Sequence, residues 1–266
     1  MPESPSAQHL TPADLIERSQ WDFFWVPDDA TVVDRPELLY VRCPRDLPLL
    51  NCASRTVVDD RIDALVDEVA SAHAGVTSRW LVRDRSDRAV LEAALARRGY
   101  VPGYEHGAFA LAVSGHQTAT RESAAGVRAV GDMATLRDWY VVADAVFEMA
   151  AGHPEHELER FLRECTGPGA RVHRFVSYQG DDPVSCGGMT SFPSLGFGYL
   201  WAGATLESAR GHGFYRAVLD ARLSRARQLG LTHVGVYARV GTSAPIVRKV
   251  GFEQAGDMCY WDRPAG

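Results

Sequence analysis

Two hydrophobic periods alternate along the second half of the chain. Apolar positions recur every three to four residues at 132–148 and again at 154–165, which predicts two amphipathic helices. Three stretches then read as strands, "RVHRFVSYQ", "PVSCGGMTSF" and "FGYLWAGATL", separated by Gly/Asp and Pro turn signals. Over 213–229 the helical period returns, with Phe214, Ala217, Val218 and Ala221 on one face and Arg216, Asp220 and Arg227 outward. A strand "HVGVYA", a short helix "SAPIVRKVG" and a strand "DMCYW" follow, and a strand-like "GVRAV" precedes the whole series.

The same pattern occurs earlier. Sliding the chain by 152 residues without a gap lays "RAVLEAALARRGY" over "VGTSAPIVRKVGF" and "RWLVRD" over "LTHVGV". Ile62, Leu65, Val66 and Val69 then fall on Phe214, Ala217, Val218 and Ala221. One architecture is expected twice. Residues 112–126, rich in Ser, Thr, Ala and Gly and without a hydrophobic period, read as a linker. The expected domains are therefore 1–120 and 121–266, a division that a length of 266 residues accommodates.

Composition narrows the function classes. With 46% hydrophobic and 23% charged residues the chain reads as soluble and globular, and no apolar stretch approaches the roughly 20 residues that span a bilayer. The start "MPESPSAQHL" has neither a basic nor an apolar segment of a secretory signal, so the cytoplasm is the expected location. Residues 1–120 hold 12 basic and 18 acidic side chains, residues 121–266 hold 16 of each, and neither half suits nucleic acid. Cys43, Cys52, Cys165, Cys186 and Cys259 lack metal-ligand spacing, so reduced, mostly buried thiols and no metal are expected.

The stretch "ARGHGFYRAVL" carries the first chemical signal. A strand ending at "ATL", a glycine-containing turn and a helix starting near Gly213 put free backbone N–H groups at a helix N-terminus. Such an end attracts anions, and Gly211 and Gly213 let a phosphate approach the backbone beside Arg210. On spacing alone, a plain turn whose glycines relieve a positive φ fits equally well.

The order of elements from Gly126 to Trp261, together with "RGHGFY", resembles the GNAT acetyltransferase superfamily. Its pyrophosphate loop reads R/Q-x-x-G-x-G/A; Arg210 and Gly213 match, and Tyr215 stands where a small residue is usual. "ATLESA" before the loop and "APIVRKVGF" after it resemble further family segments. The resemblance implies an α/β (α+β) fold of two GNAT-like domains, each a mixed, mostly antiparallel twisted sheet flanked by helices. It implies acetyl-CoA or another acyl-CoA as co-substrate, held by Ala204, Thr205, Leu206, Arg210, Gly211, His212, Gly213, Phe214 and Tyr215. In the first half Val58, Asp59, Asp60 and Arg61 fall on the loop positions 210–213, and two carboxylates there repel a pyrophosphate. A tandem arrangement with a degenerate first domain is expected.

Direct acylation of an amine in a ternary complex needs a neutral amine, a donor for the developing oxyanion and a proton source for the departing thiolate. The family's base position, eleven residues before Arg210, is Tyr199, whose phenol suits shaping the acceptor pocket better than taking a proton. The late-helix tyrosine of the family reads Ile246-Val247 here. Thr242 and Ser243 are placed either to cap that helix or to donate near the sulfur. Glu148, which with His153 flanks "MAAG", is the leading base candidate. His212 reads as a loop residue, and Trp21, Phe23, Phe24 and Trp25 as packing. The expected function is transfer of an acyl group to a small amine by a monomer or homodimer, without nucleic acid or membrane partners. The alternatives are a non-catalytic acyl-CoA-binding or interaction module, and a GNAT-like biosynthetic enzyme with atypical chemistry such as decarboxylation.

Overall fold

The computed structural model describes residues 10–114, 126–148 and 152–266. In chain order the elements are α1 (Pro12–Ser19), β1 (Thr31–Arg35), β2 (Leu38–Arg42), β3 (Cys52–Thr56), α2 (Ile62–Ala72), β4 (Ser78–Arg83), α3 (Arg88–Ala96) and β5 (Val101–Ala112). They continue as β6 (Val127–Ala129), α4 (Met133–Phe147), α5 (Glu155–Thr166), β7 (Val172–Gln179), β8 (Asp182–Phe192), β9 (Phe197–Thr205), α6 (Phe214–Gln228), β10 (His233–Arg239), α7 (Ala244–Val250) and β11 (Glu253–Arg263). Every element expected between 126 and 261 forms within a few residues of its predicted bounds. Most of the predicted linker, and the residues 149–151 between the first two predicted helices, lie outside the described residues.

Two compact units emerge, Met1–Phe109 with Tyr237–Gly266, and Ala110–Val236. The boundary expected near 120 lies outside the described residues, and it would assign 237–266 to the second domain, whereas these residues pack in the first unit. Within the first unit β1, β2 and β3 pair antiparallel, β3 and β4 parallel, and β11 antiparallel to β4, Cys259 opposite Val82 and Trp261 opposite Trp80. Within the second, β6 to β9 pair antiparallel in sequence order and β9 pairs parallel with β10.

The pairing pattern therefore repeats: three antiparallel strands β1–β3 and β7–β9, then a parallel fourth, β4 or β10, reached through helix α2 or α6. The 152-residue offset carries the first residue of α2 onto that of α6, Ile62 to Phe214, and the first of β5 onto that of β11, Val101 to Glu253. Under that offset β11 is the counterpart of β5, so the strand lying beside β4 in the first unit comes from the second repeat.

Apolar faces find separate cores. In the first unit Ile62, Leu65, Val66 and Val69 of α2 pack with Leu91 and Leu95 of α3 on Trp80, Val82, Cys259 and Trp261. Phe23, from the aromatic segment near the N-terminus, packs on Val41, Cys52, Leu81 and Met258. In the second unit Leu136, Trp139, Tyr140 and Ala143 of α4 and Leu158 of α5 pack on Val176, Tyr178, Cys186 and Ala204. Helix α6 covers the opposite face, where a Cβ on Gly187 would stand 2.9 Å from a Val218 methyl. The five cysteines are free thiols, and burial pushes those of Cys52 and Cys186 up to about 12. Among the described residues no helix is long and apolar enough to cross a membrane, and no three His, Cys, Asp or Glu side chains gather as metal ligands.

Candidate functional site

The site starts in strand β9, which loses one neighbour part-way along. Its parallel ladder with β10 joins Phe197, Gly198 and Tyr199 to His233, Val234 and Gly235. On its other edge β9 stays paired with β8 up to Thr205, but the register slips between Cys186 and Gly188, so Ala202 and Gly203 together oppose Gly187. This is a β-bulge, and it holds Ala202 at φ 46, a left-handed conformation that costs a non-glycine residue energy. The bulge turns the strand just where its ladder to β10 has ended.

From Thr205 the chain leaves the strand through Leu206, whose N–H bonds the Val184 carbonyl at 2.9 Å, into a single 3-10 turn at Glu207–Ala209. Gly211 at φ 80 and Gly213 at φ 88 then swing the chain into α6, and both conformations favour glycine. Gly213 is the N-cap and offers no side chain. The first helical bond runs from the Ala217 N–H to the Gly213 carbonyl at 3.0 Å. Among the described residues the N–H groups of Gly211, His212, Gly213, Phe214 and Tyr215 have no hydrogen-bond partner, and the first turn of α6 contains no acid. The exposed Arg210 stands beside them, its Nε 3.4 Å from the Thr205 carbonyl. A row of unpaired donors, a helix dipole and an exposed guanidinium form a cradle suited to an anion.

Tyr215 keeps its side chain out of that cradle. Its ring lies across Gly203, where a Cβ would meet Cε2 at 3.0 Å and the hydroxyl at 3.5 Å. The bulky residue in the loop is thus matched by the absence of a side chain on the strand.

No protein-family model and no curated protein sequence matches the chain. Solved structures do. A GCN5-related N-acetyltransferase from Kribbella flavida superposes with a TM-score of 0.64 at 16% identity, over 90% of this chain and 91% of that one. Another from Sphaerobacter thermophilus gives 0.60 at 17% identity, over 88% and 76%. A tandem GNAT protein from the clavulanic acid biosynthesis pathway gives 0.58 at 13%, over 94% and 88%. The chain has the GNAT fold.

The other expected residues occupy distinct places on this GNAT fold. Tyr199 is half-buried on β9, opposite Thr190 and two residues before Trp201, so the two share a face of the strand. On that face Trp139, Phe161 and Trp201 surround the buried guanidinium of Arg174, at 5.3 to 5.5 Å from each ring centre. Arg174 donates to the Phe161 carbonyl and the Cys165 thiol, and Glu164 lies 3.8 Å away, its carboxyl raised by burial. Glu148 ends α4 as an exposed C-cap in the left-handed region, φ 53. The neighbouring His153 is better held: its Nε2 lies 3.1 Å from Asp144 Oδ1, and its ring centre lies 3.9 Å from that of Tyr140, the planes tilted by 42°. Ser243 stands at the N-cap of α7 but makes no side-chain cap bond, so the expected capping contact is absent. It belongs to the other compact unit from Tyr199 and Glu148.

The counterpart loop in the first unit of this GNAT fold is filled from within. Asp59 accepts the Arg61 N–H at 2.9 Å and its guanidinium at 3.1 and 3.2 Å, at the N-terminus of α2. Arg61 holds the Asp59 carboxyl below the usual carboxylate range. A carboxylate of the chain thus accepts the Arg61 N–H, the group whose counterpart on Gly213 is unpaired in the second unit. Sequence reasoning missed two features, the Asp144–His153 pair and the burial of Arg222 beneath Tyr215. Both join residues whose meeting depends on packing, and no motif marks them.

Proposed function

We propose that the chain is an acyl-CoA-dependent N-acyltransferase that passes an acetyl group directly to a small amine in a ternary complex. One observation carries this reading: the N–H groups of Gly211 to Tyr215 are unpaired at the head of α6, at the end of a strand whose ladder to β10 covers only Phe197–Tyr199. The pyrophosphate of the coenzyme suits that cradle, with Arg210 adding charge. The pantetheine arm suits the backbone of 200–205, lying along it as an added strand held also by Ala204, Thr205 and Leu206. When bound, the coenzyme supplies the activated acyl group; the protein aligns the amine, excludes water and manages the proton. The acceptor lies on the face of Tyr199 and Trp201, and its proton leaves toward the end of α4, where Glu148 and the Asp144-held His153 stand. Asp59 closes the first unit to an anion, which supports the reading of that half as degenerate.

Isothermal titration with acetyl-CoA, followed by thiol release with a panel of amines, amino acids and aminoglycosides, tests the proposal. Arg210→Glu combined with Gly213→Asp is expected to weaken acetyl-CoA binding at least about tenfold, since it places negative charge in the cradle. Unchanged affinity in a folded variant removes the phosphate assignment. Tight coenzyme binding with no thiol released by any amine leaves a binding module instead of a transferase.

A further inference from the structure

The first unit holds a cavity of about 490 Å³ at the C-terminal end of α2, within the range of roughly 300–1,000 Å³ that small-molecule sites occupy. Asp29, Thr31 and Arg42 line it from the chain at β1 and β2, and Ala72, Ala74 and Val76 from the end of the helix. Thr31 pairs with Arg42 across the β1–β2 ladder, so the two side chains leave the same face of the sheet. That face is the one on which Leu38 and Tyr40 of β2 pack with Ile62 and Leu65 of α2. Hydrogen bonds fix the surrounding chain. The Thr77 N–H donates to Asp46 at 2.7 Å, and the buried Asn51 accepts the Cys43 N–H and donates to the Arg45 carbonyl, both at 2.8 Å. Arg263 holds the Ala70 carbonyl in the last turn of α2 at 2.7 Å.

Groups of both signs line this cavity with hydrogen-bonding capacity to spare. Arg42 is exposed, and its guanidinium makes no hydrogen bond and no ion pair among the described residues. Asp29 accepts Arg45 Nη2 on Oδ1 at 2.8 Å, while its Oδ2 has no partner among the described residues. Past α2 the carbonyls of Val69, Ser71 and His73 accept the N–H groups of His73, Ala74 and Val76, but those of Ala72 and Ala74 accept none among the described residues. The negative end of the helix dipole adds to these acceptors. An ammonium group carries three donors and no acceptor, which suits Asp29 Oδ2 and the two carbonyls, and a carboxylate suits the planar guanidinium of Arg42. A plain anion or a plain cation satisfies only half of this lining. We propose that the cavity binds a free α-amino acid, with its ammonium on Asp29 and the Ala72 and Ala74 carbonyls, its carboxylate on Arg42 and its side chain along Val76. The inference uses no residue of the cradle and does not depend on the acyl-transfer reading. It gives the unit whose loop Asp59 closes to an anion a ligand of its own.

Calorimetric titration of the full chain with each standard L-amino acid, and then with the N-acetyl derivative and the methyl ester of the tightest one, tests the proposal. At least one amino acid is expected to bind, and each derivative about tenfold more weakly, because the first has lost the ammonium charge and the second the carboxylate. Arg42→Gln, an exposed substitution that leaves the core intact, is expected to weaken the amino acid about tenfold and to leave the affinity for the methyl ester unchanged, since the ester brings no carboxylate to this position. An amino acid that binds Arg42→Gln as tightly as wild type sits elsewhere on the chain, the face of Tyr199 and Trp201 included, and overturns the inference. Failure of every amino acid to bind, or equal affinity for the acid and its methyl ester, overturns it as well. None of these results bears on the coenzyme cradle, whose own titration with acetyl-CoA stands apart.

Discussion

At Gly203 the side chain that the strand lacks is replaced by that of its neighbour Tyr215. Adding one methyl there brings a Cβ to 3.0 Å from the Tyr215 ring, so Gly203→Ala is expected to cost about 1 kcal/mol of stability by overpacking. Combined with Tyr215→Ala the cost should vanish, and a double-mutant cycle in urea reads the coupling. Two buried imidazoles give the chain a pH response. His73 is wholly buried, its Nε2 lying 2.9 Å from the Val41 carbonyl and its Nδ1 2.7 Å from the Ser78 hydroxyl, and burial lowers it from 6.5 to about 4. The carbonyl can only accept, so Nε2 is the donor. His173 is lowered likewise to about 4 by burial and then by Arg225. Between pH 6.5 and 4 the unfolded chain binds protons that the folded chain refuses, so stability is full above this window and falls as the pH drops through it. Urea midpoints are expected to decline across that range, with a shallower slope for His73→Gln; equal slopes would remove His73 as a cause.

Strand β11 is the element on which the first unit depends. Met258 and Cys259 are fully buried and Trp261 nearly so, while Asp262 takes both Nε and Nη2 of Arg79 at 2.7 Å. Ending the chain at residue 251 removes these groups and exposes the edge of β4. The loss of several buried apolar side chains amounts to several kcal/mol, a large share of a typical folding stability of about 5–15 kcal/mol. Amides of Trp80, Leu81 and Val82 are therefore expected to lose their hydrogen-exchange protection in the truncated chain. Retained protection would show that β4 holds without its β11 neighbour.

For the molecule as a whole, two equivalent helix N-termini are expected to differ in occupancy. Gly211, Gly213 and the unpaired donors around them remain in the second unit, whereas Asp59 and Arg61 fill the equivalent place in the first. Calorimetric titration should give one coenzyme per chain, and Asp59→Asn should leave the affinity unchanged. Two equivalents bound, or heat lost on replacing Asp59, would mean that the first unit keeps a working cradle.

Much of this was legible before folding because it is local. The strand and helix periods of 126–261, the glycines of the loop and the correspondence of Ile62 with Phe214 depend on residues close in the chain, whose spacing directly reports backbone geometry and burial. The same holds for the two carboxylates, Asp59 and Asp60, that stand in the first loop where the second has Gly211 and His212. Tertiary structure alone decided which strand lies beside β4, because an antiparallel edge accepts any strand of the right length and apolar pattern, and β11 matches that pattern as β5 does. It also decided the burial of Arg222 under Tyr215, the Asp144–His153 contact and the exposure of Glu148. Those depend on how α4 and α6 settle on β8 and β9, which the local periods of the chain do not fix, and periodicity reports only the face from which each side chain starts.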